Sequence, residues 1–382
     1  MSGLPNIARA GLLTAATTLV LINAAAARAQ QLIPEIIISS TIPANGDLNP
    51  YGVAFVPPGF PSGGPLEPGD ILVSNFNNSG NLQGMGSTII KLRPNRLVAP
   101  AVPAGMSGNA ITFFQPPPGS PTLGLTTALG VLRAGFVLVG NVPTDSNGVI
   151  QQGSLLVIDR NGKQVGSFTN QLGDPWDLAI DDEFDHATVF VSNVNSGSNK
   201  NGSVTRLNLR ISPTGVSVID TPTVIANGYT VEPNGAALVL GPTGLAYDAN
   251  TDTLYVASTA DNAIFSVPRA AGRTGSAGTG DVIFQDDHLH GPLALVFAPN
   301  GDLITSNGDA VKPDPTQPSE IVEFTKSGKF VGQFNVDAGT GGAFGIGIAL
   351  VGPLTAAVIS SASLVKPPTA HVETSQQFRQ HR

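Results

Sequence analysis

Between Gly241 and Val267 the chain reads GPTGLAYDANTDTLYVASTADNAIFSV, three short runs of alternating apolar and polar residues separated by two polar turns, ANTD and TADN. Successive side chains of a strand face opposite ways, so GLAYD, TLYVAS and AIFSV predict strands. The Asn- and Asp-rich turns fold them into an antiparallel meander. A sheet this small has a face it cannot cover and two open edges, and repetition around an axis removes both problems.

Looser copies of the pattern occupy most of the chain. The first comprises NPYGVAFVP from Asn49, DILVSNFNN from Asp70 and STIIKLRPN from Ser87. The second follows a proline-rich connection, with LGLTTALGVL from Leu123, GFVLVGNVP from Gly135 and GSLLVIDRNGKQVGSF from Gly153. The third reads DPWDLAIDDEFDHATVFVSNVN from Asp174 and GSVTRLNL from Gly202, and the stretch described above is the fourth. The fifth is HGPLALVFAPNGDLITSNGDA from His290 with SEIVEFTKSGKFVGQF from Ser319, and a sixth opens with GAFGIGIALVGP at Gly342. Aligning the second strands places Asn75, Asn141, Asn193, Ser258 and Asn307 at one position, at irregular spacing because insertions separate the copies.

Ring closure can be read in the same way. Glu35 to Thr41, EIIISST, is apolar and β-branched, stands directly before the first copy, and is placed to supply the outer strand of the last one. The C-terminus offers strands at Gly342 to Leu350 and Leu354 to Val365, followed by the polar segment KPPTAHVETSQQFRQHR. The last blade is thus short of one strand. The expected fold is all-β, a six-bladed β-propeller of four-stranded antiparallel blades over 30–365, its last blade incomplete and closed by the N-terminal strand, with a disordered tail at 366–382.

These residues resemble the NHL-repeat and related six-bladed propellers, including the gluconolactonase-like group. Their blades carry a P-x-G-[LV]-A strand, a turn rich in Asp and Asn, and a second strand ending in V-[AS]-[DN]. Here those residues are Pro242, Gly244, Leu245, Ala246 and Tyr247 with Leu254, Tyr255, Val256, Ala257 and Ser258. Weaker matches are Pro50, Gly52, Val53 and Ala54 with Leu72 to Asn75, and Pro175, Leu178, Ala179 and Ile180 with Val191 to Asn193. The resemblance implies architecture; the frame serves binding proteins, lactonases and lyases alike.

Composition changes the picture in three places. Residues 1–29, with Arg9 ahead of an apolar run and the ending Ala27-Arg28-Ala29, read as a cleaved signal peptide without a lipid-anchor cysteine, so a secreted or periplasmic protein is expected. No later run is long and apolar enough for an integral membrane segment. The chain has no cysteine, which excludes a disulfide framework and thiolate chemistry. A net charge of −8 with only 19 basic residues argues against nucleic acid as a partner.

In this blade order the start of each first strand and the end of each second strand fall on one rim of the channel. That rim gathers Asn75, Asn141, Asn193, Ser258, Asn307, Asp174, Asp261 and Trp176. Two readings of it stand open. Its oxygens suit a hard cation or a hydroxylated ligand, and Asn at a strand end also bonds its own turn without any ligand. Trp176, the single tryptophan, either stacks a ligand or fills the core. His288 and His290 form the chain's one H-x-H; on a strand both would face one side together with Asp286, and with Asp309 they are the candidate metal ligands for calcium or zinc.

Two functional classes follow. The first is an exported, monomeric binding module that presents its rim to a protein, a peptide or a glycan. The second is a metal-dependent hydrolase, lactonase or lyase with the cation in the channel. The lactonase group's early Glu-Gly-Pro-x-Trp is absent, since the first inner strand reads Asn49-Pro50-Tyr51-Gly52. With five histidines, two of them in the tail, general acid-base work has few candidates, so the residues favour the first class.

Overall fold

The structure, a computed structural model, describes residues 35–93, 110–194, 201–235, 237–308, 320–335, 343–349, 355–360 and 369–374, with single positions at 312, 314 and 316. Strand β1 (Glu35–Ser40) precedes a first sheet of β2 (Leu48–Phe55), β3 (Ile71–Asn77), β4 (Ile89–Leu92) and β5 (Ile111–Phe114), paired in that order. The second sheet is β6 (Leu125–Leu132), β7 (Phe136–Asn141), β8 (Ser154–Asp159) and β9 (Gln164–Phe168). The third is β10 (Pro175–Asp182), β11 (His186–Asn193), β12 (Asn201–Ser212) and β13 (Gly215–Val218), with β14 (Thr223–Thr230) also on β12.

A separate hairpin of β15 (Glu232–Asn234) and β16 (Leu238–Leu240) comes next. The fourth sheet is β17 (Pro242–Asp248), β18 (Thr253–Ser258), β19 (Ala263–Pro268) and β20 (Asp281–Phe284). It is followed by a fifth, β21 (Pro292–Phe297), β22 (Leu303–Asn307), β23 (Glu320–Phe324) and β24 (Phe330–Asn335). The two ends of the chain share one sheet, in the order β25 (Ala343–Ala349), β26 (Thr355–Ser360), β27 (Thr369–Thr374) and β1.

The first strands touch in a closed cycle, from β2 through β6, β10, β17, β21 and β25 back to β2. Burial falls outward: β3 is buried throughout, whereas β9 is largely exposed. The fold is an all-β propeller. Its cores lie between blades, as where Leu72 and Ile89 of the first sheet pack with Val137 and Leu156 of the second. No described helix is long and apolar enough to cross a membrane.

Sequence and structure part company at two places. Strand β27 lies within the segment from 366 onward that reads as a disordered tail, and it supplies the strand the last sheet lacked. The run Thr369 to Thr374 does alternate, but with only Ala370 and Val372 as its apolar members it stays below notice. Glu35 to Ser40 pairs with β27, as the outer-strand expectation requires. The insertion after β12, undivided on paper, holds β13, β14 and the β15–β16 hairpin. The expected signal peptide lies outside the described residues.

The innermost strands share one irregularity. Ladder register shifts after Pro50, Leu125, Pro175, Pro242, Pro292 and Ala343, so each first strand carries a bulge near its start. A bulge leaves backbone groups without ladder partners. In three blades a serine of the second strand meets that need and ties the blade to its neighbour. Ser74 Oγ accepts from Gly52 N–H (3.0 Å) and donates to the Thr126 carbonyl of the next blade (2.7 Å). Ser192 accepts from Asp177 N–H (2.9 Å) and donates to the Thr243 carbonyl (2.7 Å). Ser306 accepts from Ala294 N–H (3.1 Å) and donates to the Phe344 carbonyl.

Two further blades put Gly140 and Ala257 at the serine position, and the hydroxyl moves to the inner strand. Thr126 Oγ1 donates to the Pro175 carbonyl (2.9 Å), and Thr243 Oγ1 lies 2.8 Å from the Leu293 carbonyl. A Cβ at Gly140 would stand 2.3 Å from Thr126 Oγ1, so only one of the two positions can carry a side chain. Ser74→Ala and Ser192→Ala should each lower the unfolding free energy by about 1–3 kcal/mol, the cost of unsatisfied buried backbone groups. Urea denaturation checks this, and unchanged midpoints in both variants would remove the role assigned to the seam.

Candidate functional site

The aligned residues do occupy equivalent places. Pro50 pairs with Asn75, Leu125 with Asn141, Pro175 with Asn193, Pro242 with Ser258, and Pro292 with Asn307, all on one face of the ring. Their side chains, however, are buried and engaged within their own blades. Asn75 donates to the Thr41 carbonyl (3.1 Å) and to Thr88 (3.2 Å). Asn141 accepts from Gly124 N–H (2.9 Å) and donates to Ser154 (3.1 Å), and Asn193 donates to Thr205 (3.2 Å). Asn307 accepts from His290 N–H (3.0 Å) and donates to the His288 carbonyl (2.8 Å) and to Glu320 (2.7 Å). Ser258 donates to Asp261 (2.6 Å), which also accepts from Thr230 N–H (3.1 Å). The asparagines clamp the second strand to the third, while the buried amide oxygens of Asn75 and Asn193 are left without a partner among the described residues.

What does converge at the mouth of the channel is apolar. The residues after Pro50, Pro175, Pro292 and Ala343 contribute Tyr51, Trp176, Leu293 and Phe344, and the residue after the clamp asparagine contributes Phe76, Val142 and Val194. Tyr51 stacks on Phe76 (centroids 4.7 Å apart) and on Phe344 (4.9 Å), while Trp176 meets Phe76 edge-on at 5.6 Å. Trp176 is 1% exposed, so it is core rather than an open stacking platform. Removal from water pushes the Tyr51 phenol up, with the Asn49 side chain offsetting part of the rise. Val239 of the β15–β16 hairpin completes this cluster, with Val231 and Leu238 packed against it.

Beside the hairpin lies an open cleft of about 1000 Å³ on the same face. Gln151, Gln152, Gln171, Asn201 and Asn227 line it with amides, Asp174 with a carboxylate, and Val149, Leu172 and Val239 with apolar surface. Of the rim residues read from the sequence, only Asp174 reaches this cleft. Gln151, Gln152 and Gln171 lie in connections and Asn227 on β14, outside the repeat that organises the sequence, while Asn201 opens β12.

The H-x-H segment is a turn, with Leu289 N–H bonded to the Asp286 carbonyl (3.2 Å), so the two rings do not share a side. His288 stacks on Phe330 at 3.8 Å and meets Asp286 at 3.1 Å, whereas His290 Nε2 stands 3.7 Å from both Asp314 and Glu320. Asp309 lies outside the described residues. Among the described residues no group of three or more His, Cys, Asp or Glu is arranged to hold a metal ion. The mouth residues named above offer a buried phenol, an indole and alkyl groups, which do not fit a calcium or zinc ion.

One residue of chemical interest was missed. Asp177 stands where other copies have Gly52, Gly244, Ala294 and Gly345, and that mismatch was visible by aligning the chain with itself. Gly244 and Gly345 are required there: a Cβ would lie 2.3 Å from the Leu293 carbonyl oxygen and 2.4 Å from that of Tyr51. Asp177 lies in the channel wall and accepts from Leu178 N–H (2.8 Å) and from Leu245 N–H of the next blade (3.3 Å). Removal from water pushes its carboxyl well above the usual carboxylate range, and those two N–H groups offset only part of the shift.

No known protein-family profile and no curated protein matches the chain. Solved structures share its fold at low identity. A gluconolactonase from Xanthomonas campestris is 13% identical over 87% of this chain and 88% of that one, with a TM-score of 0.52. A calcium-binding protein, regucalcin, from Agrobacterium tumefaciens is 12% identical over 89% and 96%, with a TM-score of 0.50. An α-L-arabinofuranosidase from Fusarium graminearum, in complex with an iminosugar inhibitor, is 12% identical over 89% and 96%, with a TM-score of 0.52.

Asn141→Ala should cost about 1–3 kcal/mol in chemical denaturation, because the Gly124 N–H loses its acceptor; an undiminished stability would contradict the clamp. For Asp177 the folded-state pKa lies above the unfolded one, so the folded state holds the extra proton. Its contribution to stability is full below about pH 4 and is lost as pH rises toward the raised value. Asp177→Asn should therefore flatten the decline in stability above that pH. An identical pH profile for the variant would refute the assignment.

Proposed function

We propose that this chain is an exported, six-bladed propeller that binds a neutral, hydroxyl-rich ligand, a sugar or sugar derivative, in the cleft between its second and third blades and the β15–β16 hairpin. The observation that carries the reading is the lining of that cleft. Amide side chains both donate and accept, which matches the hydroxyl groups of a sugar, and apolar strips beside them suit its C–H faces. Asp174 is the carboxylate in the lining of that cleft. The six-blade count rests on the cyclic contact of the first strands and on the closing sheet made from both chain ends.

The fold neighbours support an enzymatic use of the cleft over a passive binding module, because they include a gluconolactonase and an arabinofuranosidase. In that reading the substrate is a sugar lactone or glycoside, and Asp174 is the group placed to assist hydrolysis as a general base. Among the described residues the channel mouth supplies no donor set for a cation, and the reading places the chemistry in the cleft.

Calorimetry with arabinobiose and hydrolysis assays with gluconolactone and with an aryl arabinofuranoside test the proposal. Asp174→Asn should leave binding within about two-fold and remove turnover; Gln152→Ala together with Asn227→Ala should weaken binding by about ten-fold or more, the loss of one or two hydrogen bonds. Absence of both binding and turnover across these sugars would sink the reading. Binding without turnover in the unmodified protein would leave the binding-module form.

A further inference from the structure

We propose that Thr41, Asp47 and Asn75 form a binding site for a calcium ion, set between the connection that follows β1 and the second and third strands of the first sheet. The site is separate from the cleft and does not depend on the reading given to it.

Three observations meet there. Asp47 is 4% exposed, and among the described residues no Lys, Arg or His pairs with it. Its donors all fall on one oxygen: Oδ2 accepts from Ser87 N–H (2.8 Å), from the Ser87 hydroxyl (3.3 Å) and from the Thr88 hydroxyl (2.9 Å). A buried carboxylate without a countercharge is costly.

Asn75 is fully buried, and its amide oxygen has no partner among the described residues. Its orientation is fixed by its neighbours. The Thr88 hydroxyl gives its hydrogen to Asp47 and so accepts from Asn75 Nδ2, and the Thr41 carbonyl can only accept from the same nitrogen. The oxygen is therefore the free end of the amide. Thr41 Oγ1, on the residue that holds this amide, is likewise buried and unpartnered.

The lack is not built into the clamp position. Asn141 Oδ1 accepts from Gly124 N–H and Asn307 Oδ1 from His290 N–H. In the first sheet the entry residue Asn49 has φ +56°, and no N–H of a described residue reaches Asn75 Oδ1. Asn193 Oδ1 is unpartnered as well, but its amide is not joined to a second unpartnered hydroxyl.

A carboxylate, an amide oxygen and a hydroxyl form an all-oxygen set, which selects a hard cation over zinc or copper. Calcium tolerates irregular geometry and completes its shell with water, whereas magnesium demands a near-ideal octahedron. A buried water would satisfy the two neutral oxygens and leave the Asp47 charge uncompensated. With a single carboxylate the expected dissociation constant is about 10⁻⁴–10⁻³ M. Thr41 follows β1, which pairs with β27, and Asp47 directly precedes β2, so the ion would fasten the strand that closes the ring to the first sheet.

The full chain, stripped with EDTA and dialysed, is titrated with calcium chloride by calorimetry and by thermal unfolding. One ion per chain should bind, and saturating calcium should raise Tm by several degrees. Thr41→Val removes only the hydroxyl. It should weaken calcium binding ten-fold or more while leaving the metal-free protein as stable as before or more so, since an unsatisfied buried group is gone. Asp47→Asn should abolish the calcium response. No calcium uptake by the unmodified chain would overturn the site. Uptake that both variants leave unchanged would place the ion elsewhere and overturn it too. An equal Tm rise with sodium chloride at matched ionic strength would overturn the assignment to calcium.

Discussion

The ring depends on one recurring contact: a buried hydroxyl that satisfies the bulged start of an inner strand and bonds the neighbouring blade across the seam. A propeller must turn each blade relative to the next around a narrow axis, and the bulge after the inner-strand proline provides the bend. It also breaks the ladder where water cannot reach, so the freed backbone groups need a partner. Ser74, Ser192 and Ser306 provide it from the second strand, and Thr126 and Thr243 provide it from the inner strand. At the seam of the second blade a Cβ at Gly140 would stand 2.3 Å from Thr126 Oγ1, which is why Gly140 faces Thr126.

Tight packing at the seam has consequences for chemistry. Backbone approaches so closely that three of the six bulges carry a glycine, Gly52, Gly244 and Gly345, and beside the bulges Tyr51, Trp176, Leu293 and Phe344 fill the mouth. Among the described residues this mouth gathers no cluster of His, Asp or Glu for an ion. Polar surface able to take a ligand is displaced sideways, onto the insertions around the cleft. The exception in the wall is Asp177, whose carboxylate replaces a glycine and spans the seam to the Leu245 N–H.

Period-two alternation and turn chemistry made most strands legible, and the self-alignment of the second strands located the asparagines at equivalent register. It misjudged their work. An asparagine aimed at a ligand and one aimed at a third-strand hydroxyl leave the same trace in a sequence, and the deciding partners, Thr88, Ser154, Thr205 and Glu320, belong to another strand. The histidines were misplaced for a related reason: alternate residues share a side only on an extended strand, and 286–290 is a turn. Strand β27 went unseen because its run holds only two apolar residues and its outer partner, β1, comes from the opposite end of the chain.

By itself, then, the sequence determined the repeating antiparallel unit, the register of its strand ends and the closing role of Glu35 to Ser40, because these follow from local alternation and turns. Only the tertiary structure decided which polar residues are spent inside the blades, that the mouth of the channel is apolar, and that amides from unrelated insertions meet at one cleft. Those outcomes depend on contacts between blades and between insertions, whose partners no local pattern specifies.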